Sequence, residues 1–387
     1  MAWKGRTVVR ATALAAALLM VTSSCAFVAR ASVDANGAQA TGASDAPTVS
    51  ADGRYVAYAS VATDIISPDT NGAESDVFRR DNLTGAVQRI SASQRNGNDL
   101  TSTRPTSSAD GQLVAYETGV VAAQREIWIR RVGGSTNHER VDAALAGSPN
   151  GDSTEPSISD DGVRIVYTSA ATNLVTGDGN GVTDVFVHDT QTDATTRVSV
   201  DSGGVEATGA SGEPAISGDG RYVVFSSVAS DLAVGDSNGV SDVFVHDTQT
   251  GATSRVSVDS GGTQASGASS APSVSAAGDV VAFASTASDL VPGDTNALVD
   301  VFVRDLGAAT TTRLSTDAFG VEAIGGSGSG EPALADDGSH LAYSSSTTNL
   351  VADDTNAVSD VFVKRVVVPT ITSVVGPAGS PGEVSSI

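Results

Sequence analysis

The sequence predicts an all-β fold, a six-bladed β-propeller built of four-stranded antiparallel blades. Three observations support this prediction: one motif returns at a nearly constant interval, each interval holds four short β-branched runs, and helix signals are absent after the first 31 residues. The motif Asp-Val-Phe begins at Asp76, Asp184, Asp242, Asp300 and Asp360, and a degenerate copy begins at Glu126. From the second motif onward the spacings are 58, 58 and 60 residues. Such a period indicates one unit repeated in a stacked or circular array.

The repeat that begins at Pro214 shows how one blade is encoded. Its four runs, separated by turn residues, cover 214–217, 221–227, 242–247 and 253–258. Asp219-Gly220 suits a tight hairpin because glycine tolerates positive φ and Asp accepts hydrogen bonds from nearby backbone. The consecutive apolar residues Val243-Phe244-Val245 are expected in a strand that neighbouring blades cover on both faces. Four strands per repeat favour a propeller. The alternative, an open solenoid, needs capping repeats at both ends.

The N-terminal segment is predicted to close the ring of blades. Residues 29–44 match residues 254–269, which form the fourth strand of a repeat and the connection to the next repeat. The last repeat carries the motif at Asp360 but lacks a good copy of a fourth strand. The N-terminal copy would complete that blade and remove sheet edges that invite aggregation. Cleavage after Ala31 would shorten this strand, so either cleavage falls earlier or residues 366–368 replace it.

Residues 1–31 are predicted to be a secretory signal peptide. Three basic residues precede an apolar run, and Ala29-Arg30-Ala31 offers a small-x-small cleavage site. The expected location is therefore the cell envelope or the medium. An alternative makes Cys25 a lipid-anchored cysteine, although Thr22 stands where a lipobox usually has Leu. After the signal, no apolar stretch reaches the roughly 18 residues of a membrane helix.

Composition limits the partners that this chain can take. Cys25 is the single cysteine, so a chain that loses it must be stabilised by its packed core. The formal net charge of −23 repels nucleic acid and anionic lipid. We therefore expect a monomer that binds a protein or glycan at the envelope or outside the cell. No cofactor is predicted with certainty, and calcium is the one candidate.

The repeat pattern resembles the TolB-like propeller repeats of exported bacterial proteins. The pattern is Pro-x-Ile-Ser-x-Asp-Gly-x-x-Val-x-Phe, then Asp-Val-Phe-Val-x-Asp, then Arg-Val-Ser, and it covers residues 32–368. The resemblance implies binding or scaffolding more than catalysis. TolB itself carries an additional N-terminal α/β domain, which has no counterpart in this sequence, so a role in the Tol system does not carry over. Residues 369–387 look like the first strand of an immunoglobulin-like IPT/TIG module or, alternatively, a Pro/Gly-rich tail.

An Asp-x-Asn sequence precedes five of the six motifs and makes each of these loops a candidate calcium site. Together with the first Asp of the motif, it places oxygen side chains at positions 1, 3 and 7, a spacing found in short calcium loops. The alternative is structural, because Asp and Asn also form Asx turns. The candidate residues are Asp69, Asn71, Asp76, Asp178, Asn180, Asp184, Asp236, Asn238, Asp242, Asp294, Asn296, Asp300, Asp354, Asn356 and Asp360.

Acidic residues are also predicted at one mouth of the central channel. In a four-stranded meander, the loop between strands two and three shares a rim with the crossover to the next blade, so the Asp-x-Asn loops and the crossovers lie together. Glu155, Glu213 and Glu331 each precede the proline that opens an inner strand, and Arg104 takes this place in the second blade. Such a mouth is a candidate site for a metal or a cationic group. The alternative is a set of solvated loop acids.

The second blade departs from the pattern, and catalytic motifs are absent. It lacks the Asp-x-Asn loop and contains Arg125, Glu126, Trp128, Arg130, Arg131 and His138. Trp with Arg is a typical binding pair, yet Trp128 aligns with the motif Phe and is expected in the core. His188 and His246 share one repeat position and are interpreted as copies, not as a metal pair. The sequence thus favours a non-catalytic binding propeller. The alternative is a hydrolase or lyase that acts on an extracellular polymer from the channel mouth.

Overall fold

A computed structural model describes residues 29–69, 71–91, 100–119, 124–133, 138–326, 328–352, 354–356 and 358–366. The chain divides into two compact units, Met1–Arg30 and Ala31–Ile387. Most of the predicted signal peptide, Cys25 and the whole predicted tail from Pro369 lie outside the described residues. In the described part, no helix is long and apolar enough to span a membrane.

The prediction of an all-β, six-bladed propeller is confirmed. The described residues form 23 strands and no helix, and six antiparallel sheets surround a common cavity. Blade one comprises β1 (Ser44–Val49), β2 (Tyr55–Ser60), β3 (Asp76–Asp81) and β4 (Val87–Arg89). Blade two comprises β5 (Thr101–Ser107), β6 (Leu113–Gly119), β7 (Glu126–Arg131) and β8 (His138–Arg140). Blade three comprises β9 (Ser153–Ile158), β10 (Arg164–Ser169), β11 (Asp184–Asp189) and β12 (Ala194–Arg197).

The remaining blades follow the same order. Blade four comprises β13 (Ser211–Ile216), β14 (Tyr222–Ser227), β15 (Asp242–Asp247) and β16 (Thr253–Arg255). Blade five comprises β17 (Ser269–Val274), β18 (Val280–Ser285), β19 (Asp300–Asp305) and β20 (Thr310–Arg313). Blade six comprises β21 (Ser329–Leu334), β22 (His340–Ser345) and β23 (Asp360–Arg365). Five blades therefore have four strands, and the described part of the sixth has three.

The Asp-Gly turns connect the first two strands of a blade as the sequence predicts. In blade four, Gly220 has a φ of +72°, which glycine adopts without strain. Asp219 Oδ1 accepts hydrogen bonds from Ser217 Oγ at 2.5 Å and from Arg221 N at 2.9 Å. Ser217 Oγ in turn accepts a hydrogen bond from Tyr222 N at 2.9 Å. The turn thus satisfies backbone donors that begin the second strand.

In blades one, three, four and five, the Val and Phe of the repeated motif are core residues, as predicted. Phe244 is fully buried and packs toward blade three, where it belongs to one apolar cluster with Val187 and Val198. Val243 points to the other side of the strand and packs with Phe283 of blade five. In blades two to five, each motif strand therefore fills two junctions between blades, because successive side chains alternate between the two faces of a sheet.

The junction that faces from blade six toward blade one is open to solvent. Val361 and Val363 are 77% and 70% exposed, whereas the corresponding Val243 and Val245 are 0% and 8% exposed. The N-terminal segment already covers the blade-one side, since Ala40 packs with buried residues of β2 and β3. Among the described strands, however, none pairs with the free edge of β23. Closure of the ring by the N-terminal strand stays a prediction.

Candidate functional site

The Asp-x-Asn loops bring their three predicted side chains together. In blade three, Asn180 Nδ2 donates to Asp184 Oδ2 at 2.9 Å, and Asn180 Oδ1 accepts from Val182 N at 3.0 Å. Asn238 and Asn296 make the same two contacts in blades four and five. The asparagine therefore uses its carbonyl oxygen and one N–H inside the loop, the arrangement of an Asx turn.

A basic residue from the fourth strand lies against both aspartates of the loop. In blade three, Arg197 Nη1 is 3.5 Å from Asp178 Oδ1, 3.8 Å from Asp184 Oδ2 and 2.7 Å from Glu206 Oε1. In three other blades the guanidinium lies 2.9 to 3.6 Å from both carboxylates. These pairs are Arg89 with Asp69 and Asp76, Arg255 with Asp236 and Asp242, and Arg313 with Asp294 and Asp300.

The arginines make these four loops a poor fit for calcium. Calcium takes six to eight oxygen ligands, but a guanidinium already balances the carboxylates here, and in blades three to five the asparagine oxygen already accepts a hydrogen bond. The loop of blade six differs. Within the described part of residues 31–366, Asp354 and Asp360 form no ion pair, and the buried Oδ2 of Asp354 has no hydrogen-bond partner. Calcium binding stays a prediction. Among the five predicted loops, the loop of blade six is the one in which no arginine of the described residues pairs with the aspartates.

The buried charge in the blade-three loop makes stability depend on pH. Burial, with the nearby Asp184 carboxylate, raises the pKa of Asp178 to about 6 from an ordinary value of 3.8. The folded state therefore binds more protons than the unfolded state between these two values, so this group makes the fold more stable as pH falls from 7 to 5. We expect Asp178→Asn to reduce the rise in melting temperature between pH 7 and pH 5, measured by circular dichroism.

Glu206→Gln is a second test of whether nearby negative charge raises the pKa of Asp178. It copies Gln264 of blade four, whose Nε2 donates to Asp236 Oδ1 at 2.8 Å and to Asp242 Oδ2 at 3.1 Å. Removing the Glu206 charge should lower the pKa of Asp178 and move the pH-dependent change in melting temperature to more acidic pH. Identical pH profiles for the wild type and both variants would contradict this assignment.

The second predicted site, the channel mouth, is a polar cavity of about 560 Å³ with sixfold pseudosymmetry. Each blade contributes a proline and the residue before it, and all six of these preceding residues have a positive φ between 46° and 59°. These residues are Ala46, Arg104, Glu155, Glu213, Ala271 and Glu331. The positive φ falls where the register between the first two strands shifts, at a β-bulge, and bulges re-aim side chains.

The carboxylates at the mouth link one blade to the next. Glu155 Oε2 accepts from Glu213 N of the following blade at 2.9 Å and from Thr168 Oγ1 at 3.1 Å. Glu213 Oε2 accepts from Ala271 N at 2.8 Å. These hydrogen bonds hold two of the predicted glutamates in place. Glu331 is exposed, and Ser344 Oγ, which corresponds to a donor to Glu213 in blade four, donates instead to the carbonyl of Gly330.

Blade two reaches the same arrangement with a residue that the sequence prediction did not include. Glu117, on the second strand, sends Oε1 to accept from Glu155 N at 2.7 Å. Burial raises the pKa of Glu117, and Arg104 Nε lies 3.6 Å from the same oxygen. In blade two the acid therefore lies on β6, and the basic residue Arg104 occupies the mouth position that holds a glutamate in blades three, four and six. Glu117 occupies the repeat position of Thr168 in blade three. A glutamate at a position where another blade has threonine is the signal in the sequence that could have identified it.

The remaining predicted side chains of blade two are mostly structural. Trp128 is 8% exposed, as expected of a core residue, and its Nε1 donates to Glu126 Oε2 at 2.9 Å. His138 Nδ1 lies 2.8 Å from the hydroxyl of Tyr116. Arg130 donates to the carbonyl of Ile90 in blade one at 3.1 Å. These contacts describe a diverged copy of the repeat.

The loops and crossovers share one rim, as predicted from strand order. Gly179 N donates to Glu206 Oε1 at 3.0 Å, and Asn180 Nδ2 donates to Ala207 O at 3.0 Å. Residues 206 and 207 belong to the crossover into blade four, which leads directly to Glu213 at the mouth. The hydrogen bonds of the Asp-x-Asn loop therefore stabilise the crossover that leads to Glu213.

Solved structures with a similar fold include β-propellers. The chain is similar to a protein described as TolB from Agrobacterium tumefaciens, with 17% identity, a TM-score of 0.46, and coverage of 85% of this chain and 92% of that one. It is similar to the β-propeller domain of the Trilobed protease from Pyrococcus furiosus, with 11% identity, a TM-score of 0.50, and coverage of 79% and 78%. An oligogalacturonate lyase in complex with manganese gives 11% identity, a TM-score of 0.50, and coverage of 81% and 74%. No protein-family model and no curated sequence matches the chain.

Proposed function

We propose that this protein is an exported, non-catalytic propeller that binds a protein or glycan partner through the rim that carries the channel mouth. The observation that carries the proposal is the constructed mouth, where backbone donors of neighbouring blades fix Glu155 and Glu213 around a polar cavity. Fixed carboxylates favour a cationic group on the partner, such as a lysine or arginine side chain, because little order is lost on binding.

A further property of the mouth supports a binding role. Six prolines alternate with the six residues that precede them, four of which are charged, and form rigid apolar parts of the wall of the cavity. Small-ligand sites commonly combine such walls with a few fixed polar groups. Arg104, whose side chain is 61% exposed, is the one basic residue among these six positions, and its Nη1 lies 3.9 Å from Glu155 Oε1. A bound group therefore meets both carboxylates and a guanidinium at the mouth, and this mixture of charges can fix its orientation.

We expect the double variant Glu213→Gln, Glu331→Gln to bind the partner at least tenfold more weakly than the wild type. Gln keeps an oxygen acceptor for Ala271 N while it removes the charge, so the fold should persist. The purified exported chain captures partners from envelope and medium, and surface plasmon resonance then measures the affinity of the isolated partner. Asp336→Asn removes one exposed charge at the opposite rim and is the control.

The outcomes separate the alternatives. Equal affinity for the double variant and the wild type, or a loss in Asp336→Asn alone, would place binding elsewhere. If the wild type shortens a captured polymer and the double variant does not, the hydrolase or lyase alternative replaces the binding role.

A further inference from the structure

Three side chains from blades two and three meet at the rim opposite the channel mouth. Glu139 lies on β8, His188 lies on β11, and Asp193 lies in the turn that joins β11 to β12. One carboxylate oxygen from each acid and one imidazole nitrogen of His188 all lie within 4.8 Å of one another. His188 Nε2 is 3.8 Å from Asp193 Oδ1. This cluster is separate from the mouth and from the Asp-x-Asn loops.

The imidazole of His188 is held with one nitrogen unused. Its side chain is 1% exposed, and Nδ1 lies 3.1 Å from Thr195 Oγ1. The other nitrogen, Nε2, is buried and has no hydrogen-bond partner. An unmade hydrogen bond on a buried polar atom is costly. Burial lowers the pKa of His188, which favours the neutral imidazole that metals bind.

We propose that Glu139, His188 and Asp193 bind a divalent transition-metal ion of the zinc type. One nitrogen and two carboxylate oxygens are ligands that Zn²⁺ accepts, and water completes a tetrahedral set. A contact from Nδ1 to a second partner is the usual way that a ligating histidine is oriented. Tetrahedral ligand atoms about 2.0 to 2.1 Å from zinc lie roughly 3.3 Å apart. The carboxylates must move inward by about 1 Å, which the 81% exposed side chain of Asp193 permits.

Blade four provides an internal comparison. His246 occupies the repeat position of His188, is also buried, and has Nδ1 2.9 Å from Thr253 Oγ1. There, however, Thr196 and Gly251 stand where the first site has Glu139 and Asp193. The histidine is thus common to two blades, and the two acids are specific to one. A purely structural histidine needs neither acid.

The proposal is tested by titrating the metal-free full chain with Zn²⁺ in a calorimeter and by thermal melting. We expect one ion per chain and a higher melting temperature in the presence of zinc. Loss of a residue that only orients a metal ligand costs roughly 10- to 100-fold in affinity, so Asp193→Gly, which removes a ligand, should cost at least as much. Glycine is comfortable at position 193, where φ is +58°, so this variant should fold. His246→Ala loses the same packing as His188→Ala and should retain zinc affinity.

A gain of binding gives the strongest result. Thr196→Glu combined with Gly251→Asp should build a second site around His246 and raise the stoichiometry to two. Absence of zinc binding to the wild type would overturn the proposal. So would binding that survives Asp193→Gly but disappears in Glu206→Gln, because that result would place the ion in the blade-three loop.

Discussion

Arg313→Ala is expected to lower the free energy of unfolding by about 3 to 5 kcal/mol, the usual cost of removing one partner from a buried ion pair. The guanidinium is 8% exposed and lies between Asp294 and Asp300, whose side chains are 4% and 0% exposed. It also lies 3.1 Å from Glu322. Its removal leaves buried negative charges without a counter-charge. Urea unfolding followed by circular dichroism measures the loss.

Arg221→Ala is the matched control for this experiment. Arg221 Nη2 lies 2.7 Å from Asp247 Oδ2, a shorter ion pair, but its side chain is 38% exposed. Exposed pairs contribute only about 0 to 1 kcal/mol, so the control should lose far less stability. Equal losses in the two variants would show that burial of the loop network is not what makes Arg313 important.

Arg313→Ala also tests the calcium prediction. Without the guanidinium, the loop of blade five presents carboxylates of Asp294, Asp300 and Glu322 to any cation that enters. If millimolar calcium restores the melting temperature of Arg313→Ala and leaves the wild type unchanged, the arginine acts as the resident cation of the loop. If calcium raises the melting temperature of the wild type and EDTA lowers it, the prediction of a calcium-stabilised propeller holds.

The fold was predictable because its determinants are local and repeated. Five of the six repeats carry the Asp-Gly turn and five carry the Asp-Val-Phe motif, so one blade predicts the others. The core role of Phe244 followed from the consecutive apolar residues around it. The exposed face of Val361 was not predictable in this way, because it depends on whether another segment pairs with β23.

The candidate sites were harder to predict because their partners are distant in sequence. The spacing of Asp178, Asn180 and Asp184 indicated a cation, but the cation that the structure shows is Arg197, which arrives from the next strand of the same blade. The Arg-Val-Ser pattern was visible in the repeat, yet nothing local linked it to the loop. Glu117 was missed for a similar reason, since its hydrogen bond to Glu155 crosses a junction between blades.

The second large effect is expected for Phe244→Ala, which should cost about 3 to 5 kcal/mol because it removes a fully buried ring and leaves a cavity between blades three and four. The ring centroid of Phe244 lies 5.9 Å from that of Phe225, and both side chains are 0% exposed. The loss should appear in the urea midpoint with little change in slope, since the blades share continuous apolar clusters and should unfold together.

Phe362→Ala is the control at the same repeat position. Phe362 keeps the same kind of ring neighbour, with its centroid 5.8 Å from that of Tyr343, but it is only partly buried, and no described strand pairs with the outer edge of β23. We expect a smaller loss of about 1 to 2 kcal/mol, in proportion to the apolar area removed. A loss as large as that of Phe244→Ala would mean that blade six is covered in solution, as the predicted N-terminal strand requires. A small loss in both variants would instead contradict the assignment of the repeated Phe to the core.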